Sequence, residues 1–358
     1  FAWRMPWARK PKASPEGKGF AKYGDTLQKR PWLYGSLALL FMIVLAIPMF
    51  GMRSGFPDAG GRPEGNTTRI AYDLTTEGFG AGANGPFLVV VEMPNAGSVP
   101  AANALSQKLA KTPGVATASP VIPGTPSVTP DGTTAIIQVQ PTTGPQDQAT
   151  SDLLENLRTN VIPTATAGTG LTAYVGGSTA VVDDFSQVLA DALPLFLAVV
   201  VGLGFLVLVL LFRSLVIPLT AAATALLSFG AALGITVFVF QWGYLTDIFG
   251  VTGTGPILPF LPIMLFSILF GLSMDYQVFL VSRMQEEWTR TKDNRTAVRR
   301  GLGGSGRVVA AAAAIMFSVF ISFVFGDDTT IKMFGLSLAV AIALDAFVIR
   351  LVLVPSLM

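Results

Sequence analysis

The sequence contains no cysteine and no histidine. The lack of cysteine excludes disulfide bonds and thiolate metal sites. The lack of histidine removes the commonest metal ligand and the usual proton carrier at neutral pH. Any proton chemistry must therefore use carboxylates, with tyrosine or water as partners. We expect no cofactor and no metal site, and the net charge of +2 gives no indication of nucleic-acid binding.

Charged residues are also scarce, and long apolar runs take their place. Asp, Glu, Lys and Arg make up 13% of the 358 residues, about half of the ~25% that is usual in soluble proteins. Six apolar runs each approach the ~20 residues that a helix needs to cross the hydrocarbon of a bilayer. We therefore predict an α-helical membrane protein with six transmembrane helices. The runs cover residues 32–52, 193–212, 216–240, 257–281, 308–325 and 333–354.

The distribution of basic residues predicts the orientation of these spans. Eight Lys or Arg lie in residues 1–31 and seven in residues 283–307, whereas residues 241–256 have none. Because short cytoplasmic loops are rich in Lys and Arg, both ends of the chain are predicted to be cytoplasmic. The predicted units are a basic cytoplasmic linker (1–31), one span (32–52), an extracytoplasmic domain (53–190), three spans (191–282), a basic cytoplasmic loop (283–307) and two spans (308–358).

The region between the first two spans alternates strand and helix patterns. Turn signals, such as Pro130-Asp131-Gly132, separate its segments. The predicted order is β-α-β-β-α-β, which is the order of the ferredoxin-like α+β unit. The predicted strands are residues 87–91, 115–122, 134–139 and 171–175, and the predicted helices are residues 99–111 and 147–162.

Asp275 and Tyr276 lie inside the fourth apolar run. An ionised carboxylate near the middle of a span costs roughly 2.5–3.5 kcal/mol on insertion scales. Asp275 is about 9 Å from the middle of its run at 1.5 Å per residue, too deep for a short side chain to reach the interface. No basic residue lies within one turn on the same run. This pattern favours a carboxylate that takes up and releases protons. The alternative is a neutral Asp that donates one hydrogen bond between helices.

Three further features of the apolar runs invite interpretation. Asp345 lies in the last run with Arg350 five positions on, so a structural hydrogen bond and a part in a proton path are equally open to it. Ser318 and Ser322 are expected to bond back to their own helix backbone. The segment Gly301–Gly306 lacks the Lys-Ser/Thr ending of a phosphate-binding loop and follows no strand. We expect it to be a turn that leads from a cytoplasmic helix, residues 284–300, into the next span.

Three stretches resemble the MmpL (MMPL) branch of the RND superfamily of proton-driven exporters. The most specific runs from Phe260-Leu261-Pro262-Ile263 through Phe270-Gly271-Leu272-Ser273-Met274-Asp275-Tyr276 to Ser282-Arg283 and resembles the Asp-Tyr motif of the family's tenth helix. The other two are Ser305-Gly306-Arg307-Val308 with the alanine run that follows, and Leu344-Asp345-Ala346-Phe347-Val348-Ile349-Arg350. The similarity extends over nearly the whole chain and is weakest in residues 53–170.

The resemblance implies that this chain is the C-terminal half of a twelve-helix RND architecture in a bacterial inner membrane, with an extracytoplasmic porter domain. Asp275 and Tyr276 would form one half of a proton relay, with Asp345 as a further candidate. The implied partners are membrane lipids, a lipid-like or amphiphilic cargo, and the missing N-terminal half or a second copy. Three alternatives stay open: a SecD/SecF-like translocation subunit, a non-transporting scaffold, and an intramembrane aspartyl protease that uses Asp275 and Asp345.

Overall fold

A computed structural model describes residues 18–357, so most of the predicted basic linker, residues 1–17, lies outside the described residues. Within them, six helices are long and apolar enough to cross a membrane. All six predicted runs are therefore helical. These helices are α2 (Pro31–Gly51), α6 (Ser178–Phe212), α7 (Val216–Gln241), α8 (Leu261–Thr291), α9 (Asn294–Phe325) and α10 (Thr329–Leu357).

The other helices lie at the two ends of this bundle. The first, α1, precedes α2, and three more belong to the region between α2 and α6, while a single turn, Thr246–Phe249, connects α7 to α8. The bounds are Lys18–Lys29 for α1, Thr67–Phe79 for α3, Val99–Ala110 for α4, and Gln148–Asn156 for α5, which continues through a π turn, Leu157–Val161, to Ile162–Thr166.

The region between α2 and α6 forms a four-stranded antiparallel sheet. Its elements follow one another as β1 (Phe87–Glu92), α4, β2 (Val115–Ala118), β3 (Thr134–Pro141), α5 and β4 (Thr172–Gly176). The strands lie side by side in the order β2-β3-β1-β4. The second strand is shorter than predicted: it ends at Ala118, and Pro120, which has no N–H to donate to a neighbouring strand, follows shortly after it.

Alternation along the strands separates a buried face of the sheet from an open one. Phe87, Val89 and Val91 of β1 are fully buried, as period-2 side-chain alternation requires of one face. They pack with leucines of the two helices, among them Leu105 and Leu154. The sheet domain therefore has a hydrophobic core of its own, separate from the core of the bundle.

Two helices form the centre of the transmembrane bundle. The most apolar windows of α7 and α10 are 72% buried, whereas those of α2, α6 and α9 are 11–17% buried. The approach of α7 to α2 is close, because a Cβ at Gly234 would lie 1.9 Å from the backbone oxygen of Leu45. The peripheral helices direct apolar side chains outward, which is the arrangement expected of helices in lipid.

The span predicted at residues 193–212 is the end of a longer helix. This helix, α6, begins directly after β4 and is 35 residues long, about 50 Å at 1.5 Å per residue. It exceeds the ~30 Å of a bilayer's hydrocarbon, so part of α6 extends beyond that layer and joins the sheet domain to the bundle.

The helix predicted at residues 284–300 is divided between the ends of two spanning helices, and the turn predicted at Gly301–Gly306 is wrong. The helices α8 and α9 continue through this segment and are separated only by Lys292 and Asp293. Charge alone does not end a helix, because Arg, Lys and Glu are good helix formers. The glycines remain helical and allow close packing: a Cβ at Gly301 would lie 2.5 Å from the Met284 side chain.

Candidate functional site

Asp345 and Arg350 form a buried ion pair within α10. The Arg350 Nε donates to Asp345 Oδ2 at 2.8 Å, and Nη2 lies 2.7 Å from the same oxygen. Five residues separate the two, which would place them on different sides of a regular α-helix. The segment Leu344–Leu353 is instead a π-helix, in which residue i bonds residue i+5. The wide turns therefore bring the carboxylate and the guanidinium together.

Ser273 of α8 completes the coordination of this pair. Its hydroxyl donates to Asp345 Oδ1 at 3.0 Å, and its backbone oxygen accepts a hydrogen bond from Arg350 Nη2. Asp345 is 6% exposed and Arg350 is fully buried. An ion pair taken out of water is stable only when further hydrogen bonds satisfy its remaining polar atoms. Ser273 supplies two such bonds and joins α8 to α10.

Two buried donors beside this ion pair have no partner within residues 18–357. They are Nη1 of Arg350 and Nε2 of Gln277. Gln277 lies one helical turn after Ser273 in α8 and is 4% exposed. Buried polar atoms in native proteins are almost always hydrogen-bonded. These donors therefore give the site unused hydrogen-bonding capacity on the side of Ser273 and Arg350.

Tyr276 contacts the ion pair through its ring. The guanidinium carbon of Arg350 lies 5.2 Å from the ring centroid, within the ~6 Å over which a cation is attracted to an aromatic face. Tyr276 is half-buried. The structure thus brings Tyr276 and Asp345 together, with Arg350 between them.

Asp275 lies on a different side of α8. Its side chain is exposed, and within residues 18–357 it has no hydrogen bond or ion pair. Consecutive helical residues point about 100° apart, so Tyr276 can face Arg350 while Asp275 faces outward. Of the three residues predicted for a proton relay, two share a buried cluster and Asp275 is on an open surface of the bundle.

Other polar groups of the spans have structural partners. Ser318 donates to the backbone oxygen of Ala314, and Ser322 also bonds to its own helix, as predicted. Sequence reasoning missed a buried hydrogen bond of 2.8 Å between Thr236 of α7 and Ser337 of α10. Single hydroxyls in apolar runs are common, so the sequence gives no signal that these two would meet.

Asp58, in the segment between α2 and α3, is partly shielded from water. Burial raises the pKa of Asp58, although hydrogen bonds from Tyr72 and from the backbone of Gly60 and Gly61 partly oppose this rise. Burial and the neighbouring Asp58 raise the pKa of Tyr72. In the described part of the chain, no group of three or more Asp or Glu residues has an arrangement that could hold a metal ion.

Comparisons with a family profile and with curated proteins indicate the same family. The MMPL family profile matches residues 65–358. Membrane protein YdfJ of Bacillus subtilis is 43% identical over 336 residues, which cover 94% of this chain and 45% of YdfJ. The mycolic acid-containing lipids exporter MmpL11 of Mycolicibacterium smegmatis is 32% identical and matches 99% of this chain and 37% of its own length.

A third relative is similar over the same extent. The probable trehalose monomycolate exporter MmpL3 of Mycobacterium leprae is 29% identical over 95% of this chain and 36% of its own length. The chain therefore spans less than half the length of each of these curated relatives.

Proposed function

Because this chain belongs to the MMPL family of multi-pass membrane transporters, we propose that it forms the C-terminal half of a proton-driven exporter of lipids or other amphiphiles. Asp275 is the proton-binding group in this proposal. Tyr276 and the Asp345–Arg350 pair are the groups that respond to its charge. The proposal rests chiefly on one observation: Asp275 is a carboxylate inside a span that is exposed and has no partner within residues 18–357, whereas the other carboxylate of the spans, Asp345, is paired.

The two carboxylates differ in what they can do. Asp345 accepts hydrogen bonds from Ser273 and Arg350 and forms a direct ion pair with the guanidinium. Asp275 has no such partner in the described residues. Its charge must be neutralised by a proton or by a group from outside this chain, because an uncompensated charge in hydrocarbon is costly. Asp275 is therefore the group better suited to reversible protonation.

The open face around Asp275 is the proposed interface with the missing N-terminal half or with a second copy. A polar partner on that surface would bind the ionised carboxylate of Asp275, and protonation of Asp275 would break this contact. The two states then differ in the packing of α8 against its neighbour. A proton gradient can drive such an exchange only if the two states bind the proton with different affinity.

The sheet domain fits the porter domain of this architecture. Its element order, β-α-β-β-α-β, in one antiparallel sheet supports a ferredoxin-like unit. In the proposed topology it lies outside the cytoplasm, and both ends of the chain are cytoplasmic in a bacterial inner membrane. Helix α6 links this domain directly to the bundle, so it is the element through which helix movements would reach the porter domain.

The lipid class of the cargo is inferred from the relatives. Two of them carry names that denote exporters of mycolic acid-containing lipids and of trehalose monomycolate. An intramembrane aspartyl protease would need two aspartates that share one catalytic centre. Here Asp345 is bound to Arg350 and Ser273, while Asp275 faces away from them. The geometry favours transport over proteolysis.

The proposal is tested by Asp275→Asn in the full-length protein. In proteoliposomes with an imposed pH gradient and an entrapped pH-sensitive dye, the wild-type protein is expected to speed the decay of the gradient. Asp275→Asn should reduce the rate to that of protein-free vesicles, because an amide cannot bind and release the proton. Asp327→Asn is the matched control, since it removes an exposed carboxylate from the turn before α10. A wild-type rate in Asp275→Asn, with the protein folded and inserted, would refute the relay.

A further inference from the structure

A groove of about 430 Å³ lies at the end of the bundle far from the sheet domain. It is formed where the turn between α6 and α7 meets the end of α8 and the start of α9. Its apolar lining includes Phe212, Ile217, Val281 and Met284. Trp288 closes one side and is 46% exposed, as tryptophans at the border between hydrocarbon and water commonly are.

Two cations stand at the ends of the helices that border this groove. Arg213 lines it directly and is exposed, with no acidic partner in residues 18–357. Lys292 follows α8, and its Nζ lies 4.3 Å from the centroid of the Trp288 ring. Both residues adopt a left-handed backbone, with φ of 49° and 53°. Glycine or asparagine fits that conformation better, whereas the helix dipole favours a cation at a helix C-terminus, so both positions place positive charge at this end of the bundle.

The acid nearest to these cations is already engaged. Asp293 caps the start of α9, where its Oδ2 accepts a hydrogen bond from the backbone N–H of Thr296 at 3.1 Å. Hydrogen bonds from the hydroxyl and the backbone of Thr296 hold the pKa of Asp293 below its usual range. Arg213 and Lys292 therefore form no direct ion pair within the described chain.

The position of the groove points toward lipid and away from the proposed interface. Met284 is nine residues after Asp275 in α8, about two and a half turns, so the two residues lie on opposite sides of the helix. The surface next to the groove is strongly apolar, and its leucines and valines are largely exposed. These residues are Leu210 at 79%, Leu215 at 67%, Val216 at 69% and Leu219 at 63% exposure.

We propose that this groove binds an anionic phospholipid of the adjoining leaflet. The phosphate lies between Arg213 and Lys292, and the acyl chains follow the apolar surface of α6 and α7. Basic pockets between transmembrane helices on the cytoplasmic side recognise anionic lipid head groups in this way. Lipid binding in this groove does not require proton coupling at Asp275, so the two proposals can be tested separately.

The test measures lipid retention by the full-length protein with native mass spectrometry in detergent. Phosphatidylglycerol and phosphatidylcholine with the same acyl chains are offered at equal concentration. The wild-type protein is expected to retain phosphatidylglycerol in preference. Arg213→Gln and Lys292→Gln should each reduce that preference about fivefold, because one cation near a membrane surface contributes about that much to anionic-lipid binding. The double variant should abolish the preference.

Two further variants separate this site from general surface charge. Arg307→Gln removes an exposed cation outside the groove and should leave the preference unchanged. Ser214→Trp fills the groove while it keeps both cations, and it should lower retention of phosphatidylglycerol. Unchanged helicity by circular dichroism checks the fold of each variant. Equal effects of Arg307→Gln and Arg213→Gln would overturn the proposal, as would no preference in the wild type or displacement of the lipid by an equal concentration of glycerol phosphate.

Discussion

The buried pair of Asp345 and Arg350 makes a quantitative prediction about the stability of the bundle. Arg350→Met would leave a carboxylate that is 6% exposed without its cation, and Asp345→Leu would leave a fully buried guanidinium without its anion. Removing one member of a buried ion pair typically costs ~3–5 kcal/mol, whereas replacing both by apolar residues of similar size is often neutral or stabilising. Each single variant is therefore expected to lose ~3–5 kcal/mol, and the double variant to recover most of it.

The assay is a double-mutant cycle on the full-length protein. Unfolding free energies are obtained from loss of far-ultraviolet helicity in mixed micelles with a rising fraction of dodecyl sulfate. The interaction energy is the loss in the double variant minus the sum of the two single losses, and its magnitude should exceed about 3 kcal/mol. If the two single losses simply add, or if each is below about 1 kcal/mol, the pair does not hold α10 in the manner described.

Two further predictions concern packing and protonation. Gly234→Ala should destabilise the protein by ~1–3 kcal/mol through overpacking, because a Cβ there would lie 1.9 Å from the Leu45 backbone oxygen. Gly230→Ala is the control one turn earlier, where the nearest atom would lie 3.5 Å from the new Cβ. It should stabilise the protein by up to ~1 kcal/mol through higher helix propensity. The same micelle unfolding assay compares them, and equal effects would contradict the close approach of α2 and α7. Burial raises the pKa of Asp58 in the folded protein, so its stabilising contribution is full below its unfolded pKa of about 3.9 and is lost as the pH rises through the folded pKa. Thermal unfolding between pH 4 and pH 7 should therefore show the wild type losing stability relative to Asp58→Asn, and a difference that does not change with pH would exclude this linkage.

The six spans and the sheet elements could be predicted because their signals are local. An apolar run of ~20 residues has few stable solutions other than a transmembrane helix, and a short apolar run rich in valine, such as that of β1, is typical of a strand. Residues 284–300 were predicted to be helical, but the sequence did not indicate that residues 284–291 continue the fourth span without a break. The ion pairs of this segment at i,i+3, such as Arg283 with Glu286 at 3.1 Å, are typical of a helix surface.

The candidate site could be predicted only in its residue types. Asp275, Tyr276 and Asp345 are visible as polar residues in apolar runs, but their relative directions depend on helix packing. The pairing of Asp345 with Arg350 requires a π-helical segment, and no residue in 344–353 signals one locally. The part of Ser273 depends on the contact between α8 and α10, which joins residues 72 positions apart in the sequence. Their functional roles stay predictions until the variants above are measured.

The π-helical segment at residues 344–353 also determines how the last helix should be probed. In a regular helix the backbone hydrogen bonds link residues four apart and each turn holds 3.6 residues. In this segment the bonds link residues five apart, so each turn holds more residues. A scan that places single thiol labels along the segment would have no background labelling from the rest of this chain, because its sequence contains no cysteine. Accessibility should then rise and fall with the longer repeat and return to the shorter one N-terminal to residue 344. A variant that shortened the segment by one residue would rotate everything after it relative to α8.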